Sequence, residues 1–424
     1  MEPFFRCMFR LAALFIALAA PAAFPAGKPY EKIDPSTLRG KFMCGYQGWF
    51  RTPGDGADMG WNHYSRLRNE VRPDSLVVDM WPDVSEFGEG DTEEVPSLKM
   101  PDGSPARAVS SHNPRVIDTH FRWMAEYGID GVWLQHFLIG LKGGKDGAGY
   151  MSRRNNMEHV KNAAEKYGRV WAVSFDTVGV PPEKIAEQVI AEWKRIVDAG
   201  YTESPAYLRE GGLPVVHVWG YYYLNEVNLM NPAAGRKIFD FFNSGGKYAA
   251  SLVGGGSWDW ASNPDPEWRE MYSRFKFYTP WNVGNKRRCE DGTFGASMGF
   301  WKGDKAMAEK NGTFWIPVVY PGFTWDNLRR TKPGASLIPR KGGDFFWEQF
   351  YEAAKLGVDT FYIAMFDEID EGTAIFKIEP NPPVNAHFVG TDGMPSDWWL
   401  RLAGEARRII KSGEPFPREI PIKP

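Results

Sequence analysis

The chain has little cysteine, no excess of either charge and no apolar run long enough to cross a bilayer. Only 3 of its 424 residues are cysteine, too few for a disulfide framework. With 50 basic and 53 acidic residues the net charge is -3, which gives no electrostatic reason to expect a nucleic-acid partner. No H-E-x-x-H and no paired-cysteine motif occurs, so nothing points to a catalytic zinc, and neither metal nor cofactor is expected. G-x-G-x-x-G is absent too. The glycine-rich stretch 140–149 (GLKGGKDGAG) lacks the GK[ST] of a P-loop at the required offset and reads as a substrate-side loop. There is no internal repeat and no low-complexity tail.

The apolar run at 11–20 is about half the length that a membrane span requires. Arg6 and Arg10 precede it, and Ala20-Pro21-Ala22 follows as an A-x-A cleavage candidate. This is the pattern of a secretory signal peptide over residues 1–26; a membrane anchor is the competing reading, and the short run counts against it. Cys7 precedes the run, so lipid attachment at a cleaved cysteine is not expected. The expectation is a secreted or periplasmic protein whose residues 27–424 form one domain, with no membrane span after signal removal. Cys44 and Cys289 then remain, able to pair in an oxidising compartment.

What the chain has in quantity is aromatic side chains, 15% of residues, including 18 tryptophans. Apolar β-forming runs occur at 41–47, 131–137, 170–176, 214–219, 248–253, 275–281, 314–320 and 359–366. Most are nearly continuous in hydrophobicity, as strands buried on both faces of a parallel sheet are. Helical patterns lie between them at 114–127, 155–167, 182–199 and 345–356, with a last one at 396–411; glycines punctuate their C-terminal ends. Alternation through eight strands predicts a (β/α)8 TIM barrel. Residues 50–111 then form a long first βα loop, whose acidic, glycine-rich part 86–105 is expected to be exposed.

Barrel sites form at the C-terminal ends of the strands. Those ends carry Tyr46, Trp133, His136, Asp176, His217 and Trp219, then Trp258 and Trp325 in the runs that follow, and finally Asp367 and Glu368. Tryptophan faces stack on the apolar faces of pyranose rings while carboxylates and amides take the hydroxyls, so this set predicts an oligosaccharide or polysaccharide ligand. Each tryptophan taken singly reads equally well as core, and each histidine as a core residue with a backbone partner.

The stretch 366–377, FDEIDEGTAIFK, puts four carboxylates (Asp367, Glu368, Asp370, Glu371) within five residues. A solvated turn, a cation site and a catalytic pair all read this way. Ile369 falls where a calcium loop needs a ligand, which counts against the cation. Crowded, desolvated carboxylates have raised pKa values, as an acid catalyst of glycoside cleavage needs.

The run Glu368-Ile369-Asp370-Glu371-Gly372-Thr373-Ala374-Ile375 resembles the E-W-H-E-G-T-x-I motif that closes the barrel in glycoside hydrolase family 99. That family holds endo-α-1,2-mannosidases and mannanases and is grouped loosely with the α-1,3-glucanases of family 71. The resemblance implies a secreted hydrolase of α-linked glycans acting through a 1,2-anhydro sugar with retention. It implies Glu368 as the base for the sugar 2-hydroxyl and Glu371 as the general acid/base on the leaving group. Ile369 and Asp370 replace the motif's Trp and His, so contacts beside the scissile bond are expected to differ. The rival readings are a non-catalytic carbohydrate-binding barrel and, last, a metal-dependent esterase or lyase.

Overall fold

Eight parallel strands, each followed by a helix, form the frame that carries the chain's polar strand ends to one place. They are seen in a computed structural model that describes residues 30–141, 147–222 and 230–424. The expected signal peptide and part of the glycine-rich stretch 140–149 lie outside those residues. The strands are β1 (Phe42–Tyr46), β2 (Gly131–Phe137), β3 (Val170–Asp176), β4 (Leu213–Trp219), β5 (Ser251–Ser257) and β6 (Phe277–Trp281). The last two are β7, in two pieces (Phe314–Trp315 and Val318–Val319), and β8 (Phe361–Ile363). The helices are α1 (Pro114–Tyr127), α2 (Ala148–Tyr167), α3 (Pro182–Asp198), α4 (Pro232–Asn243), α5 (Pro266–Arg274), α6 (Trp301–Asn311), α7 (Asp344–Lys355) and α8 (Trp398–Ser412). The sheet runs from β6 back to β2, on to β1 and β8, and returns to β7 at both ends.

The seventh stave is broken for a local reason. Pro317 has no N–H to donate, so the strand cannot bond continuously on both sides. Its first half follows β6, with Phe314 beside Phe277 and the Ile316 amide donating to the Tyr278 carbonyl at 2.9 Å. Its second half follows β8: Val318 pairs with Tyr362, and the Tyr362 amide donates to the Pro317 carbonyl at 3.1 Å. The barrel closes through this hand-over.

Strand side chains alternate between the barrel interior and the helix layer. On β1, Phe42 faces outward and stacks on Phe350 of α7 at 5.7 Å between ring centres. Helix α1 answers with Val116, Ile117, Phe121 and Met124, all fully buried, each worth roughly 1.5–3 kcal/mol by removal from water. Asn113 caps that helix by accepting from the Arg115 amide at 2.9 Å, and Gly128 ends it in the left-handed conformation at φ 79°.

The acidic part of the first loop is exposed over most of 86–105, as expected, yet it is regularly folded. Residues 92–99 and 105–109 form an antiparallel hairpin, with Val95 and Leu98 buried beneath it. Glu86 is held by Lys377 and Arg122 and accepts from the Trp123 indole at 3.0 Å. Val95 and Leu98 lie three apart, and an irregularity in the pairing between Val95 and Lys99 lets both face inward. Cys44, buried on β1, and Cys289, partly exposed, are both free, so the possible pairing is not made. Among the described residues no helix is long and apolar enough to cross a membrane.

Candidate active site

The acidic loop after β8 is buried, with a separate neighbour for almost every carboxylate. Asp367 accepts from the backbone amides of Gln47 at 2.7 Å and Gly48 at 2.8 Å, tying the loop to the end of β1. Glu368 accepts from the Gln47 side-chain amide at 2.6 Å and the Thr373 hydroxyl at 2.7 Å. Asp370 Oδ2 lies 3.0 Å from His63 Nδ1. Glu371 accepts no hydrogen bond from a described residue and faces the cavity. This arrangement rules out the solvated turn: Asp367, Glu368 and Asp370 are each at most 5% exposed.

The turn itself is fixed from beneath. The amides of Thr373 and Ala374 both donate to the Glu368 carbonyl, at 3.1 and 3.0 Å. Gly372 stands at φ 61°, where a Cβ would lie 2.4 Å from Thr324 Cγ2, so this position requires glycine. Arg340, buried over the ring of Trp399, donates to the carbonyls of Gly372 at 3.0 Å and Ala374 at 2.6 Å. The loop after β7 joins through Asp79, which accepts from the Thr324 hydroxyl at 2.5 Å and the Asn327 amide at 2.8 Å.

Burial sets the electrostatics. It pushes Glu368 well above the ordinary glutamate range, with Glu371 and Asp370 adding to the effect; Thr373 and Gln47 oppose it without prevailing. Burial, and then Asp370, raise Glu371 to about 7, with Arg329 pulling the other way. Burial likewise lifts Asp176 and Asp367 to about 7 against the backbone amides that each accepts. His217 is driven down to about 3 and is therefore neutral. A cluster of carboxyls able to keep protons near neutral pH is what acid–base chemistry requires.

Above the loop opens a cavity of about 780 Å³, walled by Trp49, Trp219, Trp258, Trp281 and Trp325. Of the residues expected in the site, Asp176, His217, Trp219, Trp258, Trp325, Glu368 and Glu371 line it. Trp258 is 43% exposed on the rim, against Phe300. Tyr46, Trp133, His136 and Asp367 do not line it. Tyr46 and His136 fail by strand parity: both point to the helix layer. The Tyr46 hydroxyl pairs with His120 Nδ1 on α1 at 2.9 Å, and His136 Nε2 lies 3.0 Å from Glu192 on α3. Trp133 faces inward but sits one layer down, stacked 6.1 Å from Tyr362. Asp367 spends both oxygens on the β1 amides.

Their neighbours take the places instead. Gln47 and Gln135, each one residue from a misplaced choice, reach the wall because alternation puts them inside. Gln135 donates to the Tyr362 hydroxyl at 2.5 Å, and Ser174 links it to His217 Nδ1, 2.7 Å from the serine oxygen. Trp49, Trp281 and Gln47 were visible at strand ends; Tyr222, Tyr362 and Arg329 carried no motif. Arg329 lies over the Trp325 ring at 4.7 Å. Among the described residues no group of three His, Cys, Asp or Glu is arranged to hold a metal ion.

No family model and no curated protein matches the chain. Among solved structures it is similar to the GH99 endo-alpha-mannosidase from Bacteroides thetaiotaomicron, at 16% identity and a TM-score of 0.65 over 89% of this chain and 99% of that one. A structure of that enzyme in complex with BIS-TRIS-propane superposes with a TM-score of 0.64 over the same shares, also at 16% identity. At that identity the likeness is one of fold.

Proposed function

We propose that this chain is an exported glycoside hydrolase that cleaves α-linked glycans, with Glu368 and Glu371 as its catalytic pair. The observation that carries the reading is the pair itself: two desolvated glutamates of one loop, on the wall of a tryptophan-lined cavity. Glu371, without a hydrogen-bond donor among the described residues and raised to about 7, is suited to give its proton to the departing oxygen. Glu368 already accepts two hydrogen bonds, and a sugar hydroxyl would add a third, favouring its carboxylate once substrate is bound.

In the proposed route Glu368 takes the proton of the sugar 2-hydroxyl as O2 attacks C1. The C1–O bond to the leaving group breaks and Glu371 protonates that oxygen. Water then adds to C1 of the 1,2-anhydro sugar as the C1–O2 bond breaks, giving its proton to Glu371, while O2 regains the proton held by Glu368. Two inversions at C1 give net retention. No carboxylate needs to lie under C1, so both acids can come from one loop, where a conventional retaining pair sits about 5–5.5 Å apart across the bond.

The likeness in fold to an endo-alpha-mannosidase makes α-mannosides the first substrates to try. The test is a screen of the purified protein against defined α-linked oligosaccharides, with the first-formed anomer read by NMR. Retained configuration is expected. An inverted first product would exclude the anhydro-sugar route, and binding without product on long incubation would favour a non-catalytic carbohydrate-binding barrel.

A further inference from the structure

Asp370 sits between the two proposed catalytic glutamates in sequence, yet it does not line the cavity. It is 2% exposed, and its side chain turns away to His63 in the first loop, 3.0 Å from Oδ2 to Nδ1. Its other oxygen has no partner among the described residues. His63 holds a left-handed backbone at φ 62°, uncommon for a residue with a side chain. Its ring lies flat on Trp49, with centres 3.9 Å apart and planes 7° from parallel. Trp49 is on the cavity wall, wedged on its flank by Phe137 at 5.0 Å. A continuous set of contacts therefore runs from the acidic loop to an aromatic wall of the cavity.

We propose that Asp370 and His63 are a positioning pair that fixes Trp49 as a sugar-stacking platform beside the catalytic glutamates. The proposal rests on the glycosidase reading. The imidazole, held by Asp370, occupies one face of the indole and leaves the rest of the ring to the cavity. An indole held this way loses little freedom on binding a pyranose, which is the benefit of preorganisation. Asp370 has a second effect that His63 does not share. Its charge acts on Glu371, as do those of Arg329 after β7, with opposite sign, and Asp176 at the end of β3; Glu368 on the same loop interacts with Glu371 as well. Removing the Asp370 charge makes Glu371 easier to ionise.

The two effects are separable. In an E371Q background, H63Q is expected to weaken binding of an α-linked mannotetraose by about tenfold in calorimetry, the scale of one aromatic stacking contact. With the catalytic glutamates intact, H63Q raises KM more than it lowers kcat and does not shift the basic limb of the pH–rate profile downward. D370N raises KM similarly and does move that limb to lower pH. Unchanged affinity and KM in H63Q overturn the proposal, even if D370N fails to fold. A D370N limb that stays in place overturns the role of the charge. If the parent protein neither binds nor cleaves any α-linked glycan, the glycosidase reading itself has failed. A parent that cleaves while H63Q matches it defeats this inference alone.

Discussion

Gln47 donates its side-chain amide to Glu368 at 2.6 Å, joining the end of the first barrel strand to the loop that follows the last. The bond crosses the seam where the two ends of the barrel sequence meet, and it favours the ionised form of a group that burial drives the other way. Replacing Gln47 with alanine removes that support. Glu368 then holds its proton to higher pH, so the acidic limb of kcat/KM should move upward and turnover should fall about tenfold at pH 6. A profile unchanged from wild type would mean that Glu368 does not govern that limb.

E371Q and E368Q should each lower hydrolysis of a confirmed substrate by about 10²–10⁴-fold, the range for removal of a positioned acid or base. Folding should survive both, because each swap exchanges a carboxyl for an amide of nearly the same shape. Near-normal turnover in both variants, with melting temperatures unchanged, would remove the pair from the chemistry.

Gly372→Ala should cost about 1–3 kcal/mol through left-handed strain and the clash with Thr324. Because Gly372 sits between Glu371 and Thr373, activity should fall further than global stability. Denaturant titration beside steady-state rates checks this, and parallel losses in the two would contradict it.

Asp304, on α6, carries a carboxyl lifted to about 7 by burial, and its Oδ2 has no partner among the described residues. Unfolded aspartate titrates near pH ~4, so the folded chain binds this proton more tightly than the unfolded one does. Its contribution to stability is complete below about pH 4 and declines as pH rises toward 7. D304N should flatten that decline and raise stability at pH 7 by roughly 1–3 kcal/mol. Thermal unfolding of both proteins at pH 5 and pH 8 measures it; an equal pH dependence would sink the assignment.

Much of the frame was legible in the residues. The runs 131–137 and 170–176 became β2 and β3 with the expected bounds, because continuous β-branched and aromatic hydrophobicity leaves few alternatives. The seventh run came out as two short pieces, and Pro317 inside it was the available warning. At the site, the strand ends supply the lining, and within each end alternation decides which residue faces inward. Tyr46 and His136 face the helix layer, whereas Gln47 and Gln135 face inward. The parity was readable from Phe42 and Cys44 as apolar neighbours of the helix layer. The partnerships of Asp370 with His63 and of Asp79 with Thr324 were not readable. Each joins residues more than two hundred positions apart, and no local pattern encodes such a meeting.

The same seam has a consequence for how the molecule comes to work. Phe42 pairs with Phe361 and Cys44 with Ile363, so the first and last staves meet only when most of the chain is in place. The two glutamates, the amide that steadies one of them and the aromatic wall beside the other lie on opposite sides of that junction. A partly folded chain can therefore carry most of its staves and helices and still have no catalytic centre. Onset of turnover during refolding would mark the moment of ring closure, a step that contact order makes slow relative to the local helices.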